Sequence, residues 1–224
     1  MLLELFTSQG CSSCPPADEL LSELGRSEFK GQIIPLAYHV DYWNYLGWPD
    51  PFSQPAWTNR QHRYAAAFRK NSTYTPQLVI DGRDELVGNN SPAVLAKIRA
   101  AGGQKPAATV GLKILEYSPA QRRLKLALSA ELLQASKAKE LNVMVAVFEN
   151  GLSTKVPHGE NSGKTLLNDY VVRSLETALT LPAQAGQRVA KELVITLPSE
   201  KSGVAAFLQD PQTLEVYAAA AATP

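Results

Sequence analysis

Both cysteines of the chain stand in one tetrapeptide, Cys11-Ser12-Ser13-Cys14, between a short apolar run, Leu2–Phe6, and a helix signal at Asp18–Leu24. Two thiols at this spacing can close a small-loop disulfide. A helix N-terminus beside them lowers a thiol pKa below its ordinary value of about 8.5 and arms it as a nucleophile. A strand, a dithiol turn and a helix in that order point to redox chemistry, with two inert buried thiols or a structural disulfide as the plainer reading. Pro15 and Pro16 follow directly. A proline disfavours the α conformation in the residue before it, so the regular helix is expected to begin at Pro16, with Cys11 in an exposed turn and Cys14 against the helix. The two missing amide donors leave Cys11 less acidified than it would be at the start of a helix.

Other chemistries are poorly supplied. Structural zinc and iron–sulfur sites usually need four Cys or His ligands, and the three histidines, His39, His62 and His158, are scattered. A soft-metal trap for Cu(I) or zinc, built from Cys11, Cys14 and His39, stays open as an alternative. No Gly-rich nucleotide loop is present, so no cofactor beyond the redox-active disulfide is implied. Lys and Arg number 22 against 21 Asp and Glu, a net charge of +1 that gives no pull toward nucleic acid. With 224 residues, 45% hydrophobic and 19% charged, the chain can bury a sizeable core. No apolar stretch approaches the roughly 18 residues of a membrane span. Met1 runs straight into the apolar segment, so either the protein is cytoplasmic or an export signal has been removed.

The first hundred residues alternate strand and helix signals. Ile33–Val40 reads as a second strand, and Trp57, Gln61, Tyr64 and Phe68 form one stripe of a helix over Ala56–Phe68. Gln77–Ile80 and Glu85–Val87 flank Asp81-Gly82 as a hairpin, and Ser91-Pro92 offers an N-cap and first-turn proline for a helix to about Ala101. This is the layout of an α/β thioredoxin-like domain, assigned to residues 1–103. Gly102–Pro106 is the best linker. Beyond it, Thr109–Leu115, Arg123–Ala130, Asn142–Phe148, Tyr170–Ser174, Arg188–Leu197, Gly203–Gln209 and Thr213–Ala219 are β-like runs, with one helical turn allowed in Ser129–Lys139 and a fraying end at Ala218–Ala222. They suggest a mainly antiparallel, sandwich-like domain over residues 107–224.

Such a layout gathers further groups near the dithiol. Sites form beyond the carboxyl ends of parallel strands, which brings His39 and Asp41 to the rim of Cys11 as a base and its orienter, or as a plain ion pair. The third strand returns to the same rim at Tyr74-Thr75-Pro76, where a cis proline would face the dithiol and Thr75 would offer backbone groups to a partner. All three tryptophans, Trp43, Trp48 and Trp57, fall in the long segment Asp41–Trp57, which reads as an ordered wall over the dithiol or as a self-packed loop. Pro157–Lys164 is polar and glycine-flanked, and reads as a structural loop explained by turn chemistry or as a place where His158, Glu160 and Lys164 meet a partner.

Three runs, LELFTSQGCSSCPPADELL, IPLAYHVDYWNYLGWPDPFSQPAWTNRQHRYA and YTPQLVIDGRDELVG, resemble the bacterial proteins grouped as the domain-of-unknown-function 1223 family. The likeness continues more loosely through Val156–Lys164 and Val171-Val172-Arg173. It implies a thioredoxin-like domain fused to a β-rich one, a signal peptide, and hence a periplasmic or secreted protein. Gly10 and Ser12-Ser13 depart from ordinary thioredoxins, which have an aromatic before the first cysteine and Gly-Pro between the two. That favours a narrow substrate. The expectation is an exported thiol–disulfide oxidoreductase in which Cys11 attacks, Cys14 resolves and Thr75-Pro76 aligns an unknown thiol protein or small thiol. The alternative is a binding module that captures a soft metal or docks a partner through its β-rich part.

Overall fold

The structure, a computed structural model, describes every residue except 28, 30 and 102–105. Residues 102–105 of the expected linker therefore lie outside the described residues. The elements run β1 (Leu2–Thr7), α1 (Pro15–Arg26), β2 (Ile34–His39), a 3-10 turn (Asn44–Leu46), α2 (Pro55–Ala67), β3 (Gln77–Ile80), β4 (Asp84–Val87) and α3 (Ser91–Ala101). Then follow β5 (Ala108–Ser118), β6 (Arg123–Leu132), β7 (Glu140–Glu149), β8 (Leu152–Lys155), β9 (Thr165–Asn168), β10 (Val171–Pro182), β11 (Arg188–Thr196), β12 (Ser202–Gln209) and β13 (Val216–Ala222).

The fold expected from the sequence, a separate α/β thioredoxin-like domain followed by a β-sandwich, is not what forms. The chain is mostly β, and eight strands from both halves make one mixed sheet in the order β13-β12-β7-β10-β2-β1-β3-β4. The join is β10 beside β2, parallel, with Val171 opposite Ala37 and the Ala37 amide donating to the Tyr170 carbonyl at 2.8 Å. The reason lies in β2, which is buried along its whole length. A strand covered on both faces cannot leave one edge of amides and carbonyls unpaired, and β10 satisfies it. The remaining strands form a three-stranded layer, β11-β6-β5, and a hairpin of β8 and β9.

Three apolar clusters hold these layers. Leu3, Leu5, Leu21, Leu24, Val94 and Ile98 pack α1 and α3 on one face of the sheet. On the other face, Trp57 and Tyr64 of α2 meet Phe6, Tyr38, Phe148 and Phe207, so this core draws on both halves. Leu124, Leu126 and Leu128 of β6 pack against Val143 and Val145 of β7, the buried half of the period-two pattern.

The α2-side core contains a buried charge pair. Glu4 is 1% exposed and Arg60 5%, with 2.7 Å between them. The Tyr64 hydroxyl also donates to Glu4, and Arg60 donates to Gln209 Oε1 at 3.3 Å. The guanidinium carbon lies 5.5, 5.3 and 5.6 Å from the ring centres of Tyr38, Tyr64 and Phe207, within cation–π range.

Several local expectations are corrected. The cap of α3 is Asn90, not Ser91: its Oδ1 accepts from the Ala93 amide at 3.3 Å, and Pro92 falls one position deeper. Ser129–Lys139 contains no helical turn, since β6 runs on to Leu132. The Ala218–Ala222 end pairs with β12 through Val204↔Ala222.

Candidate functional site

The turn after β1 is built from backbone bonds. The Cys11 amide donates to Ser8 O at 3.2 Å, and the Cys14 amide to Cys11 O at 3.2 Å. Cys11 and Cys14 form a disulfide with Cα atoms 5.4 Å apart, and Cys14 is the N-cap of α1. The helix thus starts at Pro15, one residue earlier than expected, because the first two helical positions have no use for an N–H. The next two amides, Ala17 and Asp18, both donate to the Cys14 carbonyl at 2.8 and 3.1 Å. The amides of the first turn are absent or committed to that carbonyl.

Cys11 does not lie in an exposed turn. It is 1% exposed and Cys14 0%, whereas Ser12 and Ser13 face solvent. The Ser13 hydroxyl lies 3.4 Å from Cys11 Sγ, where it can donate to the sulfur. The loop joining β8 to β9 holds this turn from the other half of the chain. Asn161 Nδ2 donates to the carbonyls of Gln9 and Cys11 at 2.9 and 3.0 Å, and Glu160 accepts from the Ser12 amide at 3.0 Å. Asn89, before α3, donates to Ser13 O at 3.2 Å. The sequence marks Pro157–Lys164 as a polar turn, but no local pattern says that it reaches Cys11.

The aromatic segment packs beside the same turn. A Cβ on Gly10 would come within 2.9 Å of Trp43 Cβ, so the absent side chain before Cys11 makes room for Trp43. The Trp43 indole donates to Thr75 Oγ1 at 2.8 Å, and the Thr75–Pro76 peptide is cis. Gln61 of α2 donates to the Tyr74 carbonyl at 2.8 Å and steadies this stretch. Trp48 donates to Gln9 Oε1 at 3.3 Å, and the Gln9 amide donates to Asp50 Oδ2 at 2.8 Å. Gly10→Ala should therefore displace Trp43 and lower stability by about 1–3 kcal/mol, the range for overpacking. Urea unfolding with tryptophan emission checks it; an unchanged midpoint and spectrum would refute the contact.

His39 and Asp41 do not pair. Asp41 Oδ1 accepts from Thr58 Oγ1 at 2.5 Å, against α2, because the chain turns away after β2. The partner of His39 is Asp50, at 2.7 Å from Nδ1, with both side chains fully buried. Burial opposes charge on His39, but the charge and hydrogen bond of Asp50 outweigh it and hold the imidazolium above the usual histidine value. Burial likewise raises Asp50, yet His39 and the amides of Gln9 and Phe52 keep it below the usual carboxylate value. Asp50 stands between Pro49 and Pro51 in the sequence and carries no other signal.

Asp18, one helical turn after Cys14, is a second acid beside the site, marked in the sequence only as a first-turn acid of the helix. Burial pushes its carboxyl up to about 7, against the pull of the His39 charge. Among the described residues Thr7 Oγ1, Asp18 Oδ1 and His39 Nε2 are buried without a hydrogen-bond partner, and Thr7 and His39 lie opposite each other in β1 and β2. Among the described residues no group of three or more His, Cys, Asp or Glu is arranged to hold a metal.

A family model described as "Protein of unknown function (DUF1223)" matches residues 2–209. No curated protein matches. The crystal structure of an Agrobacterium tumefaciens protein, a structural-genomics target, is similar at 29% identity and a TM-score of 0.73, covering 99% of this chain and 93% of that one. HBP35 of Porphyromonas gingivalis has a similar fold, with 16% identity, a TM-score of 0.75, and 99% of this chain and 74% of that one covered.

Proposed function

We propose that this chain, which belongs to the DUF1223 family, is an exported thiol–disulfide exchange protein acting on a narrow set of thiols. The observation that carries this reading is the Cys11–Cys14 disulfide at the start of α1, set at the carboxyl ends of the parallel strands β1 and β2. A stability role accounts for it poorly. Closing so small a loop is worth only about 2 kcal/mol in the chain-entropy estimate.

In the reaction, a substrate thiolate attacks Cys11 Sγ, the S–S bond breaks, and Cys14 leaves as a thiolate that takes up a proton. A second substrate thiol, as its thiolate, then attacks the mixed disulfide at the substrate sulfur and releases Cys11. Two thiols become one disulfide, and the protein gains two electrons and two protons. The reverse sequence reduces a substrate disulfide. Narrowness follows from burial: Cys11 and Cys14 are 1% and 0% exposed, and within the Cys-x-x-Cys turn it is Ser12 and Ser13 that face solvent. The direction follows from the prolines. With no amide at Pro15 or Pro16, and those of Ala17 and Asp18 committed to the Cys14 carbonyl, the helix start does little to stabilise a thiolate. A reduced form without that stabilisation makes a poor oxidant, so the pair is poised as a reductant, nearer to about −270 mV than to about −120 mV.

Export rests on the family likeness and on the disulfide itself, which persists in oxidising compartments. Among the described residues no helix is long and apolar enough to cross a membrane.

The decisive experiment uses glutathione. Cys14→Ser should trap a mixed disulfide on Cys11, seen as a mass adduct, and the wild type should equilibrate with the thiol pool at the low end of the potential scale. A pair that resists dithiothreitol in the folded protein, together with no adduct on Cys14→Ser, would show a structural staple instead.

A further inference from the structure

We propose that Asn161 is a positioning residue that sets the redox equilibrium of the dithiol from outside the Cys-x-x-Cys turn. The proposal takes the pair as redox-active, as above, and adds where its poise is determined.

Asn161 is fully buried and belongs to the β8–β9 loop, far along the chain from the cysteines. Its amide orientation is dictated by its neighbours. Lys164 Nζ, which can only donate, bonds Oδ1 at 2.9 Å, so the nitrogen must face the carbonyls of Gln9 and Cys11 at 2.9 and 3.0 Å. Each of those carbonyls takes one of its two N–H groups. Glu160, next to it, takes the Ser12 amide at 3.0 Å. Three backbone groups between Gln9 and Ser12 are therefore tied to one loop. The loop is itself closed by Gly163 N to Val156 O at 2.8 Å and Val156 N to Lys164 O at 2.9 Å.

Reduction replaces a covalent S–S bond with two sulfurs at van der Waals separation, so the reduced turn is freed of a constraint that the oxidised turn keeps. The bonds to Cys11 O and Ser12 N–H are made to the turn in its closed form. A contact that holds the oxidised turn better than the reduced one shifts the equilibrium toward disulfide by that difference. Buried and charge-oriented, the Asn161 bonds carry more of this bias than the exposed bond from Glu160.

The test is the equilibrium of the full-length protein with glutathione, read by alkylation and mass. Asn161→Ala should be reduced about tenfold more readily, a rise of about 30 mV. Glu160→Ala, at an exposed side chain, should shift the same way by about twofold. Thermal unfolding of the oxidised and reduced forms separates positioning from plain packing: Asn161→Ala should weaken the oxidised form more than the reduced one. Equal weakening of both, with an unchanged equilibrium, would overturn the proposal. If Asn161→Ala does not fold, Glu160→Ala decides, and an unshifted equilibrium there also overturns it. An inactive wild type whose equilibrium still shifts in the variants would sink the proposed function and leave Asn161 standing. An active wild type with unshifted variants would do the reverse.

Discussion

Asp18→Asn should stabilise the folded chain at pH 8 by as much as about 4 kcal/mol and change it little at pH 4. Burial raises this carboxyl from 3.8 to about 7, a shift of about three units at roughly 1.4 kcal/mol each. The sign follows from proton binding. Between those two values the folded state holds a proton that the unfolded state has lost, so stability falls as pH rises through the window, and the full cost stands above about 7. Asparagine removes the charge and the cost with it. It also offers a donor and an acceptor to the unpartnered Thr7 Oγ1 and His39 Nε2 nearby. The His39–Asp50 pair works in other windows. The raised His39 contributes stability below about 6.5 that is lost as pH rises through its folded value, and the depressed Asp50 loses its contribution in acid, below about 3.8. Urea unfolding of both proteins at pH 4, 6 and 8 measures the difference. A gap that does not grow with pH would remove Asp18 as a buried acid.

Arg60→Ala should cost about 3–5 kcal/mol, because it leaves the Glu4 carboxylate buried without its cation. For a chain of this length that corresponds to a fall in Tm of roughly 6–20 °C. Glu4 is 1% exposed and has no route to water, while the Tyr64 hydroxyl alone cannot replace a guanidinium. Arg60 also rests on Tyr38 and Phe207 and donates to Gln209, so the same substitution loosens α2 from β12. The double variant Glu4→Leu/Arg60→Met separates the causes. Replacing both charges by apolar groups of similar volume should recover most of the loss, as buried pairs often do. Calorimetry of the three proteins checks the order. A double variant as unstable as Arg60→Ala would place the cost in packing rather than in the stranded charge.

These two sites differ in how far the sequence foretells them. Asp18 is visible as a first-turn acid on α1, a position where the helix dipole explains an acid without burial. What makes it unusual is its burial, beside Thr7 and His39 from two strands. Glu4 stands in an otherwise apolar run and Arg60 in a helix, and neither is marked as buried by its neighbours in the sequence. Both are inside because α2 packs on the sheet and brings Arg60 and Tyr64 between Glu4 of β1 and Gln209 of β12.

What depends on near neighbours along the chain was legible from residue order. The prolines after Cys14 place the helix start to within one residue, Asp81-Gly82 makes the β3–β4 hairpin, and the alternation of Arg123–Leu128 makes β6 with one buried face. The long motifs around Cys11, Asp41–Trp57 and Thr75 also identify the family. Partners across the chain were set by packing. The choice of β10 for the open edge of β2, of Asp50 rather than Asp41 for His39, and of Asn161 for the Cys11 carbonyl spans from about ten to more than a hundred residues. Periodicity says which face of an element is apolar, and a turn signal says where the chain reverses. Neither says which of several buried edges or polar groups will meet. That is set when whole layers pack, since each buried donor and acceptor then takes whatever partner the packing leaves within reach.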